Sequence, residues 1–365
     1  MTRPVLKAHT LVTEDGVPID AIHLPGDREL AIVLAHGFTL SWQRPAVWRI
    51  ASRLNRFGGV VTFDFRGHGR SGGLSTMGDR EINDVDVAVA YARELGYQRV
   101  ATIGFSMGAS IVVRHAGLVG GVDAAVSVSG PGRWYYRGTA PMRRVHWAVE
   151  RRAGRLVTRT WLKTRVSPVR WNPVPVPPAE AAVRVAPTPF LVVHGDRDPY
   201  FPVEHAHQLF EAAREPRELW IVPGFGHAES AASRVLVDRI GEWLRQAVRS
   251  AAAGIAAPGG VATNGRVATN GRLATDGQVG PDGRVATNGR LATDGQGGPD
   301  GQLAEDGQLA EDGQLAEDGQ LAEDALVPAD ELVTEDGEVS AEGLLADVED
   351  VIATGTEQPG GPTQH

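Results

Sequence analysis

Short, continuous apolar runs alternate with helical patterns through the first two thirds of the chain, and this alternation restricts the fold most strongly. The apolar runs, rich in β-branched residues, lie at positions 31–35, 60–65, 100–105, 124–128, 190–193 and 219–222. Helical patterns lie at about 45–57, 79–95, 107–117, 203–214 and 229–249. Continuous apolar runs suit strands that are buried on both faces of a parallel sheet. The sequence therefore predicts an α/β fold with a mostly parallel, doubly wound sheet.

Two further apolar runs precede this alternation, at positions 6–13 and 17–24. Glu14-Asp15-Gly16 separates them and is typical of a hairpin turn, so we expect antiparallel strands at the start of the sheet. In open α/β sheets, ligands bind beyond the carboxyl ends of the parallel strands. The loops that follow each predicted parallel strand are therefore the candidates for a functional site.

One of these loops contains a serine between two glycines, in the pentapeptide Gly-Phe-Ser-Met-Gly at positions 104–108. A strand pattern precedes Ser106 and a helical pattern follows it. This context is typical of a nucleophile elbow, in which a sharp turn exposes the serine hydroxyl. A serine hydroxyl needs an imidazole to take its proton and a carboxylate to orient that imidazole. Three other strand ends carry polar motifs, at 36–38, 64–71 and 194–198, and the loop after the last strand ends in His227.

With these motifs in this order, residues 5–248 resemble the α/β-hydrolase superfamily, in particular its serine esterase and lipase-like branch. The resemblance implies the order nucleophile, acid, histidine, and a helical cap inserted over the pocket. Ser106 and His227 match the nucleophile and the histidine. Serine in the elbow argues against dehalogenase and epoxide hydrolase relatives, which carry Asp there.

The acid has two candidates, Asp196 and Asp198, which both follow the strand that ends at His194. In the family, the acid usually lies three residues after the glycine of this loop, with proline shortly beyond. That position is Asp198, so we predict the triad Ser106, Asp198 and His227. Asp196 is then expected to shape the turn through side-chain hydrogen bonds to its own backbone.

An oxyanion forms when the serine attacks a carbonyl, and fixed backbone N–H groups stabilise it. The N–H of Met107, directly after the serine, and that of Phe38, after His36-Gly37, are the expected donors. We therefore predict a serine hydrolase that acts on a carboxylic ester or related small-molecule acyl substrate. Thioesterases, carbon–carbon bond hydrolases and peracid-forming esterases of the same fold remain alternatives, and a binding module without turnover is an alternative of another class.

Residues 131–187 interrupt the alternation where the resemblance implies the cap. This segment has 12 Arg and Lys against only two Glu, and it contains four of the eight tryptophans. Residues 143–165 within it are expected to form a basic helix or a pair of helices, with Trp147, Leu156 and Trp161 available for an apolar face. A solvated lid is one interpretation, and peripheral contact with a membrane surface, an anionic substrate or an acidic chain is another.

From residue 251 the composition changes, and no Phe, Trp or Tyr follows. A six-residue repeat runs from Val261 to Leu326, and residues 251–365 carry a net charge of −18. One aliphatic residue in six buries too little apolar surface to order a chain, so we expect this tail to be disordered. A stacked β-solenoid is the alternative.

Other features of the sequence bear on the expected location, cofactors and partners of the protein. The chain has no cysteine, which excludes a disulfide framework and leaves the redox compartment open. Its amino terminus lacks a secretory signal pattern and its apolar stretches are too short for a membrane span, so we expect a soluble cytoplasmic protein without stable membrane insertion. We predict no cofactor, no metal site and no nucleic acid partner, and the sequence leaves the oligomeric state open. His205 and His207 have alternate spacing, which faces two sides of a helix and suits a helix surface better than a metal pair.

Overall fold

The computed structural model describes residues 8–252, 260–263 and 266–269. Its centre is a sheet in which the first eight strands have the order β1-β2-β4-β3-β5-β6-β7-β8. These strands are β1 Ala8–Val12, β2 Pro18–Leu24, β3 Leu30–Ala35, β4 Gly59–Phe63, β5 Arg99–Phe105, β6 Ala124–Val128, β7 Phe190–Gly195 and β8 Arg217–Val222.

The pairing of the strands confirms the predicted mixed sheet. Strands β1 and β2 form an antiparallel hairpin, and β2 pairs antiparallel with β4. All pairs from β4 through β3, β5, β6 and β7 to β8 are parallel. The carboxyl ends of these parallel strands therefore lie along one edge of the sheet.

Nine helices connect and cover the described strands. They are α1 Pro45–Leu54, α2 Ile82–Glu94, α3 Met107–Leu118, α4 Ala140–Glu150, α5 Arg152–Thr160, α6 Pro178–Ala182, α7 Glu204–Ala212, α8 Ala228–Ala231 and α9 Arg234–Ala252. Strand β3 shows how the sheet is covered, because its alternate residues belong to two separate apolar clusters. Val33 packs in the cluster that includes α2, α3 and α7, whereas Ile32 packs in the cluster that includes α1 and α9. The sheet is thus buried on both faces, as continuous apolar runs predict.

One predicted helix differs from the structure. The helical pattern at 229–249 is divided into α8 and α9, and the break lies at Ala232 and Ser233. The Ser233 hydroxyl accepts a hydrogen bond from the N–H of Leu236 at 3.1 Å, so Ser233 starts a new helix as its N-cap. The break leaves α8 as a short separate turn directly after His227.

The inserted segment 131–187 contains the predicted helix pair, α4 and α5. A short return follows, in which Ser75 and Val166 form an isolated parallel bridge. The Trp171 indole donates to the Thr76 carbonyl at 2.6 Å, and the Trp134 indole donates to the Pro175 carbonyl at 2.8 Å. The Trp171 bond therefore holds this segment on the rest of the domain, and the Trp134 bond joins two parts of the segment itself.

The first two hexapeptide repeats contain two short strands, β9 Gly260–Thr263 and β10 Arg266–Thr269, where the sequence predicted disorder. They pair as an antiparallel hairpin, and β9 runs parallel to β8. Residues 270–365 lie outside the described residues, so the disorder of that part of the tail stays a prediction.

Candidate active site

Ser106 lies between β5 and α3, on a backbone with φ 50° and ψ −113°. A residue other than glycine rarely adopts a positive φ, and such strain is typical of functional turns. The Ser106 N–H donates to the carbonyl of Val128 at 2.9 Å, which fixes the turn to β6. The hydroxyl is thereby presented at the carboxyl edge of the sheet.

The two glycines of the pentapeptide are required by close contacts between backbones. A Cβ on Gly104 would lie 2.2 Å from the carbonyl oxygen of Gly108, and a Cβ on Gly108 would lie 2.4 Å from that of Ala35. Side chains at these positions would hold α3 away from β5 and β3. The glycines therefore allow the tight turn that exposes Ser106.

His227 connects Ser106 with Asp198. Its Nε2 lies 2.9 Å from the Ser106 Oγ, and its Nδ1 lies 2.8 Å from the Asp198 Oδ2. His227 follows β8, Asp198 follows β7 and Ser106 follows β5, so three strand ends on the same edge of the sheet supply the three groups. The structure therefore brings the three predicted triad residues together in one hydrogen-bonded chain.

The Asp198 carboxylate is fully buried and has partners for both oxygens. Its Oδ1 accepts hydrogen bonds from the N–H groups of Tyr200 at 2.8 Å and Phe201 at 3.0 Å. Burial acts to raise the pKa of Asp198, but the hydrogen bond with His227 and the donors around it hold that pKa below its usual value. This environment keeps the carboxylate ionised.

Asp196 has a different environment. Its Oδ1 accepts the N–H of Gly224 at 2.6 Å, and the residue is exposed. This bond joins the loop after β7 to the loop after β8. The sequence predicted side-chain hydrogen bonds to the backbone of its own turn, and the structure instead shows this bond between two loops.

Aromatic rings enclose the histidine. The Tyr200 ring stacks on His227 with ring centroids 4.2 Å apart, and the Phe201 ring lies at 5.8 Å. The Thr139 hydroxyl, at the start of α4, donates to the carbonyl of Tyr200 at 2.9 Å. The inserted segment therefore contacts the wall of the site.

The predicted oxyanion donors, Phe38 and Met107, follow two strands that pair with each other, β3 and β5. Phe38 follows β3, and Met107 is the first residue of α3, directly after Ser106. Within residues 8–252, neither backbone N–H has a protein acceptor at hydrogen-bond distance. Both N–H groups can therefore donate to a bound oxygen atom.

Glu229 is a buried carboxyl that sequence reasoning missed. Its Oε1 accepts the N–H of Gly37 at 2.6 Å, and burial raises its pKa. A Cβ on Gly37 would lie 3.2 Å from the Glu229 Oε2 and 3.3 Å from the Ser106 Cβ. Glu229 therefore fixes the residue that precedes Phe38, at a distance of a few ångströms from the serine. No sequence motif marks a single Glu in a helical segment as a partner of the Gly37 N–H.

Ser129 was also missed, and it supports the histidine loop. Its Oγ accepts the N–H of Ala228 at 3.1 Å, and both residues have positive φ values, 52° and 50°. Ser129, after β6, thus fixes the residue that directly follows His227. A positive φ on Ser or Ala leaves no recognisable pattern in a sequence.

His36 and the 64–71 loop have backbone partners. The His36 Nε2 accepts the N–H of Phe65 at 3.1 Å, and its Nδ1 lies 2.7 Å from the carbonyl oxygen of Gly37. Asp64 accepts the N–H groups of Trp42 and Arg70 at 2.8 and 3.0 Å. These contacts shape the loops around the site.

The predicted helix-surface position is wrong for one of the two spaced histidines. His205 is buried, and the Tyr136 ring packs edge-on to it at 4.5 Å, whereas His207 is exposed. Across the described ranges, no three His, Asp or Glu side chains come together in a way that could hold a metal ion. In the same part of the chain, no helix is long and apolar enough to cross a bilayer.

Solved structures with the same fold include hydrolases. The Pyrococcus furiosus esterase Pf2001 has 23% identity and a TM-score of 0.52, over 67% of this chain and 92% of that one. The α/β hydrolase GrgF from Penicillium sp. sh18 has 19% identity and a TM-score of 0.51, over 67% and 98% of the respective chains. At these identities the likeness shows the fold alone.

A family model also matches the sequence itself. The model of the alpha/beta hydrolase family matches residues 32–239, which include every strand end that contributes to the candidate site. No curated protein matches the chain significantly. Because the family model spans more than half of the chain, and because the resemblance predicted from the motifs agrees with it, the chain belongs to the alpha/beta hydrolase family.

Proposed function

We propose that the protein is a serine hydrolase that cleaves carboxylic esters of small molecules through an acyl-enzyme. One observation carries this proposal: two hydrogen bonds, of 2.9 and 2.8 Å, connect the Ser106 Oγ through His227 to the buried Asp198 carboxylate. This is the arrangement that general-base activation of a serine requires.

The first half of the reaction forms the acyl-enzyme. The Ser106 Oγ attacks the ester carbonyl, and the His227 Nε2 takes the hydroxyl proton. Asp198 holds the proton on the Nδ1 of His227, so the Nε2 has a lone pair to accept with. The N–H groups of Phe38 and Met107 donate to the oxyanion, which collapses and releases the alcohol as His227 returns the proton to it.

The second half releases the acid. A water molecule attacks the acyl carbonyl while the His227 Nε2 takes one of its protons. Collapse of the second tetrahedral intermediate breaks the bond to the Ser106 Oγ, which regains a proton from His227. The free carboxylic acid leaves, and the enzyme returns to its starting state.

The test compares the wild type with Ser106→Ala on short p-nitrophenyl acyl esters and on a fluorophosphonate probe. Ser110→Ala is the matched control, because Ser110 lies one turn further along α3 and its hydroxyl donates to the Met107 carbonyl at 2.7 Å. We expect Ser106→Ala to lose labelling and hydrolysis, and Ser110→Ala to keep both within a few-fold. Hydrolysis that survives Ser106→Ala, or a wild type with no hydrolysis and no labelling, would contradict the proposal.

A further inference from the structure

The helix pair α4 and α5 has an unusual distribution of apolar side chains. In α5 the buried positions are Gly154 and Thr158, while Leu156 and Val157 point outward. Leu156 is 61% exposed, and Trp161, at the end of the helix, is 59% exposed. The apolar face that the sequence predicted is therefore present, but it faces solvent.

Close packing fixes this orientation. A Cβ on Gly154 would lie 2.4 Å from the carbonyl oxygen of Trp147 and 2.6 Å from the Ala148 Cα, so only glycine fits against α4. The Arg155 guanidinium donates to the carbonyls of Val149 and Glu150 at the end of α4. Rotation of α5 to bury Leu156 would break these contacts.

Positive charge flanks the exposed Leu156 along α5. Arg152 and Arg159 lie one turn before and one turn after Leu156 on the same side of α5. The single carboxylate of the pair, Glu150, is already bonded to Arg137 and His146. Arg152 and Arg159 form no ion pair within the described part of the chain. We call this region the cap surface; it comprises Trp147, Arg152, Leu156, Val157, Arg159 and Trp161.

We propose that the cap surface docks on an anionic phospholipid bilayer. A helix with an apolar stripe between arginines lies in the plane of such an interface, with its apolar side chains at the acyl boundary and its cations at the phosphates. Tryptophan rings favour the same boundary between the lipid headgroups and the acyl chains. Trp147 and Trp161 are exposed there, whereas Trp134 and Trp171 donate their indole N–H groups to backbone carbonyls.

Other occupants fit the cap surface less well. A nucleic acid would pair with the arginines but would leave Leu156 and Val157 in water, because phosphate contacts are polar. A second copy in a two-fold dimer would place the same patch against itself, arginines facing arginines, in a segment of net charge +10. Of these three occupants, the anionic bilayer is the one that offers both anionic groups and an apolar layer.

The experiment measures sedimentation with vesicles of phosphatidylcholine, alone or mixed with phosphatidylglycerol. The full chain is used with Ser106→Ala as background, so the result does not depend on the proposed hydrolysis. We expect binding to the mixed vesicles that weakens with salt, and much weaker binding to phosphatidylcholine alone. Arg152→Gln with Arg159→Gln should reduce partitioning about 30-fold, at roughly fivefold per charge near an anionic surface.

Two further variants distinguish docking through the cap surface from nonspecific adsorption to vesicles. Leu156→Ser with Trp161→Ser should also reduce binding to the mixed vesicles, and circular dichroism checks that each variant is folded. The matched control is Arg234→Gln with Val235→Ser, an exposed Arg-Val pair on α9 outside the cap surface, and it should bind as the background does. Absence of binding to mixed vesicles, equal binding by the cap variants, or binding to single-stranded DNA but not to vesicles would overturn the proposal.

Discussion

Asp198 gives the sharpest test of the candidate site, because its two oxygens have different partners. The Oδ1 accepts two backbone N–H groups, from Tyr200 and Phe201, and the Oδ2 contacts the His227 Nδ1. In Asp198→Asn the two N–H groups require an acceptor, so the amide oxygen stays with them. The amide NH₂ then faces the His227 Nδ1.

This change reverses the protonation of the imidazole. The Nδ1 must accept from the amide, so the proton moves to the Nε2, which can no longer take the proton of Ser106. The loss in kcat from this tautomer is about 10⁴, or about 5.5 kcal/mol of transition-state stabilisation. A flipped amide would restore the tautomer but would place its NH₂ against two buried N–H groups, at a cost of about 1–3 kcal/mol for each. A flip that costs only about 2 kcal/mol limits the loss in kcat to about 30-fold.

We therefore expect kcat on p-nitrophenyl esters to fall between about 30-fold and 10⁴-fold in Asp198→Asn. The assay is steady-state hydrolysis at saturating ester, with a thermal melt to show that the variant is folded. Asp196→Asn is the matched control, because Asp196 is exposed and its carboxylate accepts only the Gly224 N–H among the described residues. Its kcat should change little. If Asp196→Asn loses most of the activity and Asp198→Asn keeps it, the reasoning is refuted.

Two other predictions concern the residues around Ser106. Gly108→Ala should destabilise the fold by at least about 2 kcal/mol in urea unfolding, because the added methyl would meet the Ala35 carbonyl at 2.4 Å. Gly120→Ala, where φ is +82° and the space is open, should cost only about 1 kcal/mol, and equal costs would contradict the packing argument. Glu229→Ala should lower kcat at least about tenfold with little change in KM, because the Gly37 N–H loses its acceptor and the oxyanion donor of Phe38 shifts. Glu229→Gln should restore most of the rate, and a loss of stability without a loss of kcat would rule out this positioning role.

Much of the fold could be predicted from the sequence because its signals are local. Continuous apolar runs identified the parallel strands, and Glu14-Asp15-Gly16 identified the hairpin between β1 and β2. The position of Ser106 followed from the glycines on either side, which a tight strand-to-helix turn requires. The break between α8 and α9 was missed, because the helical period continues through Ser233 and only its capping bond shows the boundary.

The contacts between distant loops could not be predicted in the same way. The sequence alone left Asp196 and Asp198 as alternatives, and only the three-dimensional positions show that Asp198 reaches His227. Glu229 and Ser129 act across loops that are far apart in the chain, so no spacing reveals their partners. The outward direction of Leu156 depends on how Gly154 packs against α4, which helical periodicity does not specify.

The acyl-enzyme on Ser106 is the central claim, and trapping it is the most direct measurement. The wild type is mixed with a p-nitrophenyl ester, quenched in acid within the first turnover, digested and analysed by mass spectrometry. The account predicts that the mass of one acyl group appears on the peptide that contains Ser106, and that it is absent when the substrate is omitted. An acyl group on another residue, or product formation with no acylated peptide at any quench time, would contradict it.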